Sequence, residues 1–188
     1  MRSIAIAALL LACAGCASSG DDSDTRASAQ EAADSTVKTV ASVDLQRYAG
    51  MWYEIANYPM TFQRQCVGDT VAHYMPREDG RIEVLNRCAT KGGDIDEADG
   101  VATAVPGSGN AKLEVSFFWP FKGDYWVIGL DPDYRWSVVG TPTRKYLWIL
   151  SRTPSLPQAE LDRALDAARA QGYDLQPLQY TPQSKAPR

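Results

Sequence analysis

The 188-residue chain holds a single histidine, His73, and only four cysteines. That scarcity removes most routes to metal-centred or nucleophilic catalysis, since no ligand cluster at metal spacing and no nucleophile motif accompanies them. A lone histidine on an expected strand reads as structural. Basic charge is also short, with 19 Lys and Arg against 23 Asp and Glu, so no basic field for nucleic acid exists. The apolar run Ile4 to Ala12 falls well below the roughly 20 residues that a membrane-spanning helix needs.

What that run does resemble is a secretory signal: Arg2 supplies the positive charge, the apolar stretch follows, and small residues lead to Cys16. A cysteine straight after a small-residue cleavage site resembles the bacterial lipobox, in which the thiol is lipidated and becomes the new N-terminus. Leu10-Leu11-Ala12-Cys13 and Cys13-Ala14-Gly15-Cys16 both satisfy the pattern loosely. The Ala14-Gly15 pair places the lipid on Cys16, with Cys13 the alternative, and an ordinary signal ahead of a soluble periplasmic protein is the remaining reading. Ala17 stands after Cys16 where Asp would retain the protein, which implies the outer membrane, facing the periplasm. The expected division is therefore residues 1–15 as signal peptide, 16–43 as lipidated cysteine and tether, and 44–188 as one folded domain. Residues 17–43 hold five acids and two bases, are rich in Ala and Ser, and lack the apolar content to fold alone.

From Asp44 onward, short aromatic and β-branched runs alternate with Gly, Pro, Asn and Asp clusters. Eight strands are expected, near Met51 to Asn57, Val67 to Met75, Arg81 to Arg87, Ile95 to Val105, Ala111 to Phe117, Asp124 to Leu130, Tyr134 to Gly140 and Tyr146 to Arg152. The short links between them favour an all-β, eight-stranded, antiparallel up-and-down barrel, wide enough for one small ligand. Ser155 to Ala170 then switches to helical spacing, with Leu161, Leu165 and Ala168 on one stripe. This predicts one C-terminal α-helix packed outside the barrel, with Ser155 and Gln158 as a capping box and Gly172 ending it.

Gly50-Met51-Trp52-Tyr53-Glu54-Ile55 on the first strand is followed by Trp119-Pro120-Phe121, Gly123-Asp124-Tyr125-Trp126-Val127, Asp131-Pro132-Asp133-Tyr134 and Tyr146-Leu147-Trp148-Ile149-Leu150-Ser151-Arg152. This set, in this order, resembles the lipocalin family in its bacterial lipocalin, apolipoprotein D and plant temperature-induced form. The likeness runs from Asp44 to Gln179. It implies a structural signature of Gly50, Trp52, Tyr134 and Arg152, with the arginine packed over the tryptophan at the barrel floor. It also implies binding and shuttling of fatty acids or lysophospholipids in envelope maintenance. No cofactor is implied, and the assembly is a monomer or homodimer.

Alternate residues of a strand face opposite sides. With Pro132 and Thr143 at the centres of their turns, Ile128 pairs with Trp136, Trp126 with Val138, Val138 with Trp148 and Trp136 with Leu150. The expected lumen is then Trp126, Ile128, Trp136, Val138, Trp148 and Leu150. Tyr58, Phe62, Phe118, Trp119 and Phe121 form an apolar rim at the open mouth, and with the lumen set Tyr58, Phe62, Phe118 and Trp119 complete the expected ligand-binding residues. Glu54, of the same parity as Trp52, is expected to pair with an Arg or Lys, or to meet a ligand head group. Cys66 and Cys88 lie at the far ends of the hairpin that turns at Pro76 to Gly80, which reads as a disulfide clamping the mouth, with a reactive thiol pair the alternative. Two further readings remain: an interaction module whose barrel is filled by its own side chains, and a lipocalin-derived enzyme.

Overall fold

The structure, a computed structural model, describes residues 36–184. The expected signal segment, Cys16 and the first part of the expected tether lie outside the described residues.

Strands β1 Gly50–Asn57, β2 Cys66–Pro76, β3 Ile82–Thr90, β4 Ile95–Ala104, β5 Lys112–Phe118, β6 Phe121–Leu130, β7 Trp136–Gly140 and β8 Leu147–Ser151 pair antiparallel with their neighbours in chain order. β1 pairs with both β2 and β8, so the sheet closes on itself as an eight-stranded up-and-down barrel. The closing β1–β2 ladder runs over Gly50–Tyr53 and Val71–Tyr74, at the floor half of the two strands. The turns follow from local chemistry. Between β6 and β7 the Asp131 carboxylate accepts from the Asp133 and Arg135 amides at 3.0 and 3.1 Å and from the Arg135 guanidinium at 2.8 and 2.9 Å. These bonds satisfy a buried carboxylate and hold Tyr134 at φ +61°.

Helix α1 is the short turn Leu45–Tyr48 below the barrel; its amides at Gln46 and Arg47 donate to Asp44 Oδ1 at 2.9 and 3.2 Å, an N-cap that satisfies otherwise unpaired groups. Helix α2, Gln158–Ala170, lies outside against β6 and β7, burying Ala164, Leu165 and Ala168. The expected capping box is replaced: Pro157 occupies the cap without a side-chain bond, and its carbonyl accepts from the Glu160 and Leu161 amides. Gln158 instead donates to Asp162. Gly172, at φ +77°, ends the helix as expected.

Three segments depart from expectation. Residues 36–43, assigned to the tether, are packed: Val37 and Val43 are buried and the Val40 amide donates to the Val127 carbonyl at 2.9 Å. A 3-10 turn spans Thr61–Gln63. A ninth strand, β9 Gln179–Tyr180, adds to β1 opposite Ala56 and Asn57.

The register of the last three barrel strands corrects the expected lumen. Val127 pairs with Val139 and Val139 with Trp148, while Val138 pairs with Ile149 and Trp136 with Ser151. The β7–β8 pairs are offset by one residue from expectation, and a bulge between Val127 and Gly129 shifts β6 against β7 so that Trp126 meets Gly140 and not Val138; a one-residue slip exchanges the two faces. Ile128, Trp136 and Val138 therefore point outward into the layer beneath α2, where the Trp136 indole donates to Glu160 at 2.8 Å. Trp126 also faces outward, with the Lys112 ammonium 4.0 Å above its ring. Trp148 and Leu150 face inward with Val127 and Val139.

Candidate functional site: the barrel interior

At the floor, Trp52 is fully buried and its indole donates to the Tyr48 carbonyl at 2.8 Å. The Arg152 guanidinium lies 3.8 Å from the Trp52 ring centroid and donates to the Met51 and Arg47 carbonyls at 2.8 and 2.6 Å. A planar cation on an aromatic face is attracted by the ring quadrupole, and its edge remains free to donate. Gly50 has φ +90°, a backbone conformation that a side chain would strain, and a Cβ there would lie 3.6 Å from Arg152 Nη1. Tyr134 completes the set: the Arg47 guanidinium stacks 4.1 Å over its ring and its hydroxyl accepts from the Asp44 amide at 2.9 Å. The structure thus gathers Gly50, Trp52, Tyr134 and Arg152 into one floor plate.

Above that plate are groups the sequence reading did not single out. Tyr48 rises from α1, and its hydroxyl is hydrogen-bonded to Ser137 Oγ at 2.9 Å and to the Tyr125 hydroxyl at 2.8 Å, while Tyr125 in turn bonds the Tyr74 hydroxyl at 2.9 Å. Burial pushes the Tyr48 phenol up to about 12 and raises those of Tyr74 and Tyr125 as well, so all three stay protonated. Next along the β1 wall is Glu54, 4% exposed, whose carboxyl accepts from Asn57 at 2.6 Å, Gln63 at 2.8 Å and Thr181 at 2.6 Å. These three neutral donors stand where an Arg or Lys was expected. Burial pushes the Glu54 pKa up, and the donors only partly offset it.

The opposite wall is built for space. Ala98, Gly100 and Ala102 occupy the inward positions of β4, across from Asn86, Val84 and Ile82. A Cβ on Gly100 would fall 2.8 Å from Phe117 Cδ1, so the glycine makes room for that ring. Phe117 shares the inner face of β5 with buried Leu113 and Val115, yet 37% of its surface is open. Tyr125 and Trp148 are likewise only partly covered. Phe117 was overlooked in favour of Phe118; alternation from Leu113 and Val115 was the available signal.

At the mouth, Phe62, Phe118, Trp119 and Phe121 are exposed, Trp119 by 91%. Phe62 meets Tyr146 edge-on at 5.5 Å and Tyr146 meets Trp148 at 5.9 Å, a line of rings from rim to lumen. Tyr58 is not part of this rim. It is buried outside the barrel, with its ring 5.9 Å from Tyr173 and its hydroxyl donating to the Asp174 carbonyl. Cys66 and Cys88 form a disulfide, Cα to Cα 5.5 Å, joining β2 to β3 at the mouth end.

A closed antiparallel barrel with one helix outside, a packed floor and an apolar inner face is the calyx architecture of small-ligand carriers. The chain belongs to the lipocalin family, with residues 43–183 matching the lipocalin-like domain. It is 39% identical to temperature-induced lipocalin-1 of Arabidopsis thaliana, over 80% of this chain and 85% of that protein. It is 40% identical to outer membrane lipoprotein Blc of Vibrio cholerae, over 79% of this chain and 87% of that protein. Insecticyanin from the tobacco hornworm Manduca sexta shares the fold, with a TM-score of 0.65 at 20% identity, covering 78% of this chain and 84% of that one.

Proposed function

We propose that this protein is a lipid-anchored lipocalin of the outer membrane, facing the periplasm, that binds and shuttles fatty acids or lysophospholipids in envelope maintenance. The observation that carries this reading is the partly open inner face at Phe117, Tyr125 and Trp148, together with the small inward residues of β4 that Phe117 packs beside. Burying an acyl chain against such a surface yields about 0.8 kcal/mol per methylene, so useful affinity needs few polar contacts. Exposed Phe62, Phe118, Trp119 and Phe121 offer the chain an apolar way in. Trp148 and Leu150 are the ligand contacts retained from the expected lumen. The anchor on Cys16 and the outer-membrane location are supported by the lipobox-like sequence and by the names of the Blc relatives. The protein acts as a binder, not an enzyme, alone or as a homodimer.

The test is native mass spectrometry of protein purified without detergent and then offered acyl ligands. Retention of palmitate or a lysophospholipid at one per chain is expected. Failure to hold any acyl chain of twelve carbons or more would leave the interaction-module reading in its place.

A further inference from the structure

The hydroxyls of Ser137, Tyr48, Tyr125 and Tyr74 form an open chain of four groups joined by three hydrogen bonds, at 2.9, 2.8 and 2.9 Å. Each hydroxyl owns one proton and each bond uses one. One proton is therefore left over, whichever way the bonds are directed. A buried donor without an acceptor is destabilising, so the spare proton settles where an acceptor can reach it. Ser137, Tyr48 and Tyr74 are buried, whereas Tyr125, on the inner face of β6, is only partly buried. With the bonds directed Ser137 to Tyr48, Tyr48 to Tyr125, and Tyr74 to Tyr125, the Tyr125 oxygen receives two donated bonds and its own proton is free. A hydroxyl that accepts two bonds is polarised into a stronger donor.

We infer that Tyr125 is a polar subsite at the floor of the barrel that receives the carboxyl or carbonyl oxygen of a free fatty acid bound head-down. The inference rests on the acyl-binding reading above and deepens it. The Arg152 guanidinium, 3.8 Å from the Trp52 ring centroid, interacts electrostatically with Tyr48, Tyr125 and Tyr74, while Glu54 opposes it at Tyr74. Burial keeps the three phenols protonated, so the donor is present throughout the physiological range. Glu54, the nearest acid along the wall, already accepts from Asn57, Gln63 and Thr181. A lysophospholipid head group is too bulky to follow a carboxyl to the floor, so that ligand rides tail-first with its head at the mouth. One lumen then holds two ligand orientations.

The experiment uses palmitate labelled with carbon-13 at the carboxyl, bound to the full chain and observed by NMR, with a soluble gadolinium chelate as relaxation probe and lysophosphatidylcholine as the reference ligand. In the wild type the carboxyl signal is expected to be shielded from the chelate and to stop following bulk pH. In Tyr125→Phe the ratio of palmitate to lysophosphatidylcholine affinity is expected to fall about tenfold, the size of one charge-assisted hydrogen bond. In Tyr74→Phe, which removes one bond donated to Tyr125 and keeps its proton, a smaller fall is expected; this variant and the wild-type shielding carry the test if Tyr125→Phe does not fold. A bound palmitate whose carboxyl relaxes with the chelate and titrates like free acid would overturn the subsite, as would an unchanged affinity ratio in Tyr125→Phe. If the wild type binds neither ligand, the acyl-binding reading falls and the subsite with it.

Discussion

Replacing Arg152 with methionine removes the cation from beneath Trp52 while keeping an apolar stem of similar reach. The guanidinium makes two good hydrogen bonds, to the Met51 and Arg47 carbonyls at 2.8 and 2.6 Å, and a longer one to the Tyr134 carbonyl at 3.4 Å. A buried hydrogen bond from a charged donor contributes about 1.5–3 kcal/mol, but Arg152 is only half-buried and water can take up the freed carbonyls, so about 1 kcal/mol apiece is the appropriate figure. The stack on Trp52 at 3.8 Å adds about 1 kcal/mol. Arg152→Met should therefore lose about 3 kcal/mol of unfolding free energy, a fall of about 6–12 °C in midpoint for a domain of this size. Arg152→Lys keeps a charge and one carbonyl but no planar stack, and should lose about half as much. Urea titration with tryptophan fluorescence and thermal scanning measure both. A methionine variant within 0.5 kcal/mol of the wild type would refute the view that this arginine ties α1, β1 and the Tyr134 turn into the floor plate.

Deleting residues 179–188 removes the bonds from the Thr181 amide to the Ile55 carbonyl at 3.0 Å, from the Asp69 amide to the Pro182 carbonyl at 2.8 Å, and from Gln183 to the Glu54 and Thr70 carbonyls at 2.8 and 2.9 Å; at about 1 kcal/mol each the loss should be about 2–4 kcal/mol in urea unfolding, and unchanged stability would contradict it. Burial holds the Glu54 pKa above its unfolded value, so over the window between them the folded state keeps a proton that the unfolded chain has released, and stability falls as pH rises through it. Glu54→Gln should flatten that slope in urea midpoints measured from pH 4.5 to 7.5, and an identical slope in both proteins would count against the buried-carboxyl account. Brominated palmitate should quench Trp148 from inside the lumen and spare Trp136 beneath α2, so Trp148→Phe should reduce the ligand-dependent quenching while Trp136→Phe leaves it nearly intact; equal reductions would reverse the register reported above.

The strands were legible because each is punctuated by residues that cannot continue it. Asp131 with Pro132, the Pro76 to Gly80 turn, and Gly107 with Gly109 stop the ladder by turn chemistry, whatever surrounds them. Inside and outside were legible only where one face of a strand meets solvent. On β3, buried Ile82, Val84 and Cys88 share a face opposite exposed Glu83 and Arg87, and parity is unambiguous. On β7 all five residues from Trp136 to Gly140 are buried, because the barrel lies on one side and α2 on the other. Hydropathy then carries no information about direction, and the inner face rests on where the turns are centred, which bulges shift. A weaker signal was present in the small residues. Ala164 and Ala168 form the helix stripe, and a Cβ on Gly129 would meet Ala167 Cβ at 2.8 Å, so the helix needs a sheet face with glycine on it. That requirement places Gly129 outside and offsets β6 against β7.

The C-terminal segment carries no periodic signal, yet it completes the barrel wall. The β1–β2 ladder stops at Tyr53 and Val71, while β2 continues to Cys66. Beyond Val71 the mouth half of β2 therefore has no β1 partner. On one side the disulfide from Cys66 to Cys88 holds it to β3. On the other, residues 179–184 enter the gap: Tyr180 pairs with Ala56, Gln183 bridges the carbonyls of Glu54 and Thr70, and Ser184 bonds Asp69 from both its amide and its hydroxyl at 2.6 Å. Gly68 permits this approach, since a Cβ there would fall 2.7 Å from the Pro182 carbonyl oxygen. No periodic pattern announces such a segment, because its bonds run mostly through backbone and short polar side chains. Its placement ties the Glu54 carboxyl, through Thr181, to the element that closes the wall beside it. The seam between β1 and β2 is thus closed by two means, ladder at the floor and the chain's own end at the mouth, while the cystine reinforces the β2–β3 ladder on the other flank.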